Sequence, residues 1–276
     1  MYQRIAVVGA GALGRRIAWT LGKNAVSVHL CDTSETALQA ARSYFNEQNA
    51  QIDGVSDRSS RIFTTVSLSE AVSDADFIVE SIPEDLAAKR SLFLQLEEHS
   101  IPNSVLATNS SSYPSRLLLE DESQLGLRTL NTHFYAPPEQ PAVELMSSGK
   151  TDPEIVAAVA QFFVDLGLRP FIARTESVGF IYNRIWAAIK RESLSVVAEG
   201  VATPQEVDEL FALCVSPLGP FRTMDFVGLD TVLDIENHYI EAHNELGTTA
   251  RDLVQKYVTD GHLGFKTKRG FYSDYF

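Results

Sequence analysis

Through the first half of the chain, short apolar runs alternate with longer stretches whose apolar positions recur every three or four residues. RIAVVGAG is an apolar run closed by glycines, and in ALGRRIAWTLG the residues Leu13, Ile17 and Leu21 stand four apart before a stop at Gly22. The first predicts a strand and the second the helix it feeds. In AVSVHLCD, Val26, Val28 and Leu30 alternate with Ser27, His29 and Cys31, the period of a strand, and SETALQAARSYF returns to helical spacing. Further strands are predicted at RIFTT, DFIVES and VLATNS, with a helix from about Asp85 to His99 between the last two, and RTLNTH adds another strand.

TDPEIVAAVAQFFVDLG has Thr151 or Asp152 as its cap, proline in the first turn, a stripe of Ile155, Val159, Phe162 and Leu166, and Gly167 as terminator. RPFIA is the strand that closes that unit. After Arg174 the pattern changes to a long helical run, ESVGFIYNRIWAAIKRESLSVVAEG, and then to TPQEVDELFALC with a Thr cap, a proline and Glu three residues after the cap. Strands separated by helices imply a doubly wound, mostly parallel sheet. The expected fold is therefore α/β, a Rossmann-type domain over 1–175 followed by a smaller all-helical domain over 176–276.

The charge balance, a net −13 over 276 residues, disfavours nucleic acid or an anionic membrane as partner and leaves a small molecule as the expected one. No apolar stretch approaches the roughly 18 residues of a membrane helix, and MYQRIAVVGAG has no secretory pattern. Cys31 and Cys214 lie in predicted regular elements, far from metal-type spacing, and read as small core residues of a reducing compartment. The expected address is the cytoplasm. The acceptor-like NSS at Asn109 is read as a chance match to the glycosylation pattern.

GAGALG fits G-x-G-x-x-G at Gly9, Gly11 and Gly14, which alone is a weak signal. Its setting is stronger, because it comes after a strand, opens an amphipathic helix and precedes HLCD, which puts Asp32 at the end of the next strand. Gly9 permits the tight turn, Gly11 admits a pyrophosphate to the backbone, and Gly14 lets helix and strand pack closely. With Ala12 and Leu13 the loop offers helix N-terminal N–H groups to phosphates. Asp32 can accept both ribose hydroxyls and would repel a 2′-phosphate, so the cofactor read is NAD rather than NADP.

Ligands of an open parallel sheet bind outside the carboxyl ends of its strands. At those ends the sequence places the glycine loop, Asp32, ESIPED at Glu80–Asp85, NSSS at Asn109–Ser112, and His133. Oxidising a secondary alcohol by hydride loss requires a base for its proton, and a histidine oriented by a carboxylate suits that task near neutrality. Glu139 and Glu144 are both within chain reach of His133, and spacing does not choose between them. The other five histidines read as structural.

These residues resemble the 3-hydroxyacyl-CoA dehydrogenase family from the glycine loop to the C-terminus. The family's NTSS block is similar to NSSS here, its HFFNPPPLMKLVE to HFYAPPEQPAVE, its GFIxNR to GFIYNR, and its GPF…D…GLD to GPFRTMDFVGLD; LGFKTKRGFY resembles its closing segment. The resemblance implies that His133 is the base and that Glu144 orients it. It also implies that Ser111 bonds the reacting oxygen and that Asn183, from the helical domain, positions substrate or histidine. It further implies NAD contacts at Glu84, Lys89 and Lys266, and a homodimer paired through the helical domain that also lines the substrate cleft.

The departures concern the substrate. Ala136 stands where the family has asparagine, and the spacing from His133 to Glu144 is one residue shorter than usual. The family often inserts a lysine-bearing helical hairpin after the second strand to hold the CoA phosphates. ARSYFNEQNAQIDGVSDRSSRIF is short and has no lysine, with Arg58 and Arg61 as nearby candidate cations. The reading is an NAD-dependent oxidoreductase interconverting a 3-hydroxyacyl-CoA and a 3-oxoacyl-CoA. The alternative keeps the chemistry on a free 3-hydroxy acid such as carnitine or gulonate, or on a carrier-bound polyketide. A dinucleotide-binding protein without turnover, as in the related lens crystallins, is disfavoured by the joint retention of Ser111, His133, Glu144 and Asn183.

Overall fold

A computed structural model describes residues 2–22, 27–50, 61–120, 123–242 and 246–275; Val26, Arg58 and His243 lie outside them. The chain divides into two compact units, Met1–Ile181 and Tyr182–Phe276.

Among the described residues the first unit has eight strands: β1 (Arg4–Val8), β2 (Ser27–Cys31), β3 (Ile62–Thr65), β4 (Phe77–Glu80), β5 (Val105–Thr108), β6 (Thr129–Phe134), β7 (Ala142–Ser147) and β8 (Arg169–Ala173). They form one sheet in the order β3-β2-β1-β4-β5-β6-β7-β8. Every neighbouring pair is parallel except β6 and β7. The helices are α1 (Ala12–Leu21), α2 (Glu35–Ala50), α3 (Leu68–Val72), α4 (Leu86–His99) and α5 (Pro153–Asp165). The expected Rossmann-type sheet is present, and the winding reverses at the crevice between β1 and β4, where such sheets bind nucleotides.

Alternation along β1 divides the core. Ile5 and Val7 pack with Ile17 and Trp19 of α1, Phe45 of α2 and Phe163 of α5, while Ala6 and Val8 face Val72 of α3 and Phe93 of α4. Covered on both faces, the central strands are apolar throughout, which is why they read as runs rather than alternations. At α5, Asp152 takes the cap by accepting the Glu154 N–H at 2.9 Å, whereas the Thr151 hydroxyl bonds the backbone of Thr129 and Ser148.

Three expectations change. AVELMS, for which the apolar pattern predicts no element, is strand β7, held to β6 as an antiparallel hairpin. The long helix does not begin at Glu176, because Gly179 (φ 79°) and Phe180 (φ 56°) make a left-handed turn; it begins at Tyr182. Cys31 is buried, and burial, aided by Asp32 and Glu70, pushes its thiol up to about 11; Cys214, however, is exposed and no core residue.

The second unit comprises α6 (Tyr182–Ala198), α7 (Pro204–Cys214), α8 (Pro220–Val227), α9 (Leu229–Ala242) and α10 (Thr249–Thr259). The cap read at TPQE is a full capping box between Thr203 and Glu206. GPF has a different logic. Gly219 caps α8 without a side-chain bond, and buried Asp208 of α7 accepts the Phe221 and Arg222 N–H groups at 2.8 Å each, and the Tyr272 hydroxyl at 2.8 Å. A Cβ on Gly219 would lie 2.4 Å from that carboxylate. Asp225 of α8 in turn receives the Phe271 and Tyr272 N–H groups and the Tyr275 hydroxyl, which anchors the closing segment, and burial pushes its carboxyl above the usual range. No helix among the described residues is long and apolar enough to cross a membrane.

Asp208→Ala strips buried N–H donors of their acceptor, at about 1–3 kcal/mol for an unsatisfied group. Thermal unfolding should show that loss in the second unit, with the far-ultraviolet spectrum retained at low temperature.

Candidate active site

The crevice at the carboxyl ends of β1 and β4 is a cavity of about 740 Å³, lined by Gly9, Gly11 to Gly14, Asp32, Ser81, Ile82 and Asn109 among others. Gly9 sits at φ 107°, and a Cβ there would meet the Ser81 carbonyl at 2.4 Å. A Cβ on Gly14 would lie 1.9 Å from the Gly9 carbonyl. A Cβ on Gly11, by contrast, would meet nothing within 4 Å and would project into space the crevice leaves open. That open cradle at the α1 N-terminus fits a pyrophosphate. Asp32 is fixed at the rim by the Ala10 N–H on Oδ2 (2.7 Å) and the Ser34 N–H on Oδ1 (2.8 Å), an anionic acceptor suited to ribose hydroxyls.

Behind the crevice lies a buried ion pair. Glu80, last in β4, is fully buried; its Oε1 meets Lys89 Nζ at 2.6 Å and the Ile82 N–H at 2.8 Å, and its Oε2 accepts the Thr108 hydroxyl at 2.5 Å. Lys89 is 1% exposed and also reaches the Ile82 carbonyl and Glu84 Oε2, each at 3.2 Å. Its N–H donors are thus all engaged within the protein. Glu84 Oε1 in turn accepts the Ser110 hydroxyl and the Ser112 N–H. Lys89 and Glu84 together clamp the loops after β4 and β5 to one another. That clamp shapes the loop bearing Ser111, whose own hydroxyl has no hydrogen-bond partner among the described residues.

The hairpin resolves the choice of glutamate. His133 and Glu144 are direct register partners across β6 and β7, and Nδ1 of the histidine lies 3.2 Å from Glu144 Oε2. Glu139 instead pairs with Arg16 of α1, whose guanidinium also donates to the Pro137 carbonyl (2.9 Å) and the Ala136 carbonyl (3.4 Å). Ala136 therefore acts through its backbone. His133 and Glu144 are both buried, at 7% and 3% exposure, and Nε2 of the histidine has no partner among the described residues. The Asn109 side chain accepts the Phe134 N–H at 2.9 Å, tying the crevice lining to the histidine strand.

The left-handed turn at Gly179–Phe180 serves this pair. It stacks the Phe180 ring on His133, with centroids 5.1 Å apart, and donates the Ile181 N–H to Glu144 Oε1 at 2.9 Å. Tyr135 places its hydroxyl 2.5 Å from Glu144 Oε2. Neither Tyr135 nor Phe180 is picked out by sequence reasoning. Alternation gives a usable signal for the first, since 133 and 135 share a face of an extended strand; a side chain brought in by a left-handed turn has no such signal. Asn183 lies in the first turn of α6, in the second unit, where Lys266 is held by Asp230 at 2.8 Å.

Residues 4–176 match the family model described as 3-hydroxyacyl-CoA dehydrogenase, NAD binding domain, and residues 179–274 match that of the C-terminal domain. The chain belongs to the 3-hydroxyacyl-CoA dehydrogenase family. It is an NAD-dependent oxidoreductase of that family, with the nucleotide domain in its first unit. The 3-hydroxyacyl-CoA dehydrogenase-like protein LAM1 of Cochliobolus heterostrophus is 48% identical over 149 residues, 52% of this chain and 31% of that protein, so the match spans under a third of that relative. A probable 3-hydroxyacyl-CoA dehydrogenase of Caenorhabditis elegans is 33% identical over 98% of this chain and 95% of its own. A solved diketoreductase, described by its catalysis of dicarbonyl compounds, is 28% identical with a TM-score of 0.84, covering 98% of each chain.

Gly11→Val should fold normally and lose NADH affinity more than about tenfold, which is about 1.4 kcal/mol, as followed by NADH fluorescence titration. Lys89→Met leaves Glu80 buried without its counter-charge and should lower stability by about 3–5 kcal/mol in denaturant unfolding.

Proposed function

We propose that this protein interconverts a 3-hydroxyacyl and a 3-oxoacyl group carried on coenzyme A. His133 is the general base of the oxidation and the general acid of the reduction. The observation that carries the reading is the buried His133–Glu144 pair at 3.2 Å, with the second ring nitrogen lacking any partner among the described residues. A carboxylate on Nδ1 fixes the tautomer that leaves Nε2 as the acceptor, and it stabilises the imidazolium once the hydroxyl proton has moved there. The Ser111 hydroxyl holds the reacting oxygen. Asn183 is assigned to positioning by the family resemblance. Bound NAD supplies the hydride acceptor, and Gly9, Gly11, Ala12, Leu13, Gly14 and Asp32 hold it. A homodimer goes with this reading, and sedimentation measures it directly.

A second reading keeps these residues and changes the carrier. It is favoured by the absence of lysine between Ala41 and Phe63, where the family often brings cations to the CoA phosphates, and by the likeness to a reductase of dicarbonyl compounds. The substrate is then a free hydroxy acid or a carrier-bound acyl group.

His133→Ala should bind NADH as the wild type does and lose about 10²–10⁴ in kcat, the usual worth of a general base; turnover at the wild-type rate would refute the base assignment. A panel of acetoacetyl-CoA, simple 3-hydroxy acids and carnitine, monitored by NADH absorbance, separates the two readings. Turnover of a free acid with none of any CoA ester selects the second.

A further inference from the structure

Glu144 carries more donors than the orientation of a histidine requires. Its Oε1 accepts the Ile181 N–H at 2.9 Å, while its Oε2 is shared between His133 Nδ1 at 3.2 Å and the Tyr135 hydroxyl at 2.5 Å. The His133 and Tyr135 rings lie with centroids 4.6 Å apart, so imidazole and phenol approach one oxygen from one face of the hairpin. The phenol holds the shorter of the two contacts.

We propose that Tyr135 is a positioning residue that sets the proton affinity of His133 by competing with it for Glu144 Oε2. This rests on the reading of His133 as the general base. The negative charge on Oε2 is what favours the imidazolium over the neutral ring. A hydroxyl bonded to an ionised carboxylate is a strong, charge-assisted donor, and it draws on the charge that the imidazolium would otherwise use. With Tyr135 in place the histidine releases its proton more readily; with phenylalanine it holds it more tightly.

Tyr135 is a neutral donor to Glu144 that can be altered without removing a charge. Glu144 is the charge contributed by β7. The turn before α6 contributes an aromatic ring and an amide from Phe180 and Ile181, and its Glu176 is held by Arg116 at 2.7 Å. On the hairpin loop Glu139 is paired with Arg16. From the loop after β5, neutral Asn109 reaches the histidine strand by accepting the Phe134 N–H.

The ligand-free 276-residue protein allows a direct test by ¹⁵N NMR titration of the imidazole nitrogens. The six histidines are sorted by the resonance missing from His133→Gln. Tyr135→Phe should raise the pH at which His133 takes its proton by about one unit, and 3,5-difluorotyrosine at 135, a stronger donor, should lower it. In a Glu144→Gln background, Tyr135→Phe should add no further shift. A midpoint that stays in place or falls in Tyr135→Phe overturns the proposal, whatever happens to turnover. The pH profiles test the base reading separately. If the midpoint rises, the acid limb of alcohol oxidation and the basic limb of carbonyl reduction should move up together. A raised midpoint with unmoved limbs leaves the tyrosine effect standing and refutes His133 as the base. A purely structural role would lower the rate at every pH and move neither limb.

Discussion

The register between β6 and β7 is the constraint on which the site depends. Successive side chains in a strand point to opposite faces, so a slip of one residue would turn Glu144 away from His133. What holds the register lies largely on the other face of the same hairpin, where Leu130, Phe134, Val143 and Leu145 are buried in the core. Burying side chains of this size contributes about 1.5–3 kcal/mol each, and a slipped register would expose them. The polar pair is thus aligned by apolar burial. Arg16 adds a brace from outside, joining the helix of the glycine loop to the carbonyls of the hairpin.

Carboxylates recur through the molecule in one further capacity, as acceptors for backbone N–H groups where segments meet. Asp32 takes Ala10 and Ser34, Glu80 takes Ile82, Asp208 takes the first turn of α8, and Asp225 takes the closing segment. Part of the acidic excess therefore serves internal order rather than surface charge. It also explains the motifs of the second unit. The glycines at 219, 264 and 270 leave no room for a Cβ beside Asp208 or Asp225, so GPF and the closing segment are docking features built around a buried charge. Burial of such a group is tolerated because several donors surround it.

Much of this is legible along the chain. Apart from α3 and β7, the order of strands and helices in the first unit, the nucleotide crevice, Asp32 at its rim and His133 at the end of a strand derive from periodicity and from glycines in a specific setting, which are local properties. Strand β7 is not legible, because three prolines precede it and VELM is too short to separate from a loop by pattern. Cys214 misleads for a related reason, since a small apolar residue in a helix carries no mark of which side faces solvent.

The sequence by itself determined most of the elements, the cofactor class and the set of polar residues gathered at one edge of a sheet, because backbone geometry converts spacing into direction within a single element. The tertiary structure decided the partners. It assigned Glu144 rather than Glu139 to His133, engaged Lys89 with Glu80 and Glu84, put Phe180 against the imidazole and brought Tyr135 onto the shared oxygen. Those choices depend on strand register and on a left-handed turn, and both are set by contacts between segments far apart in the chain.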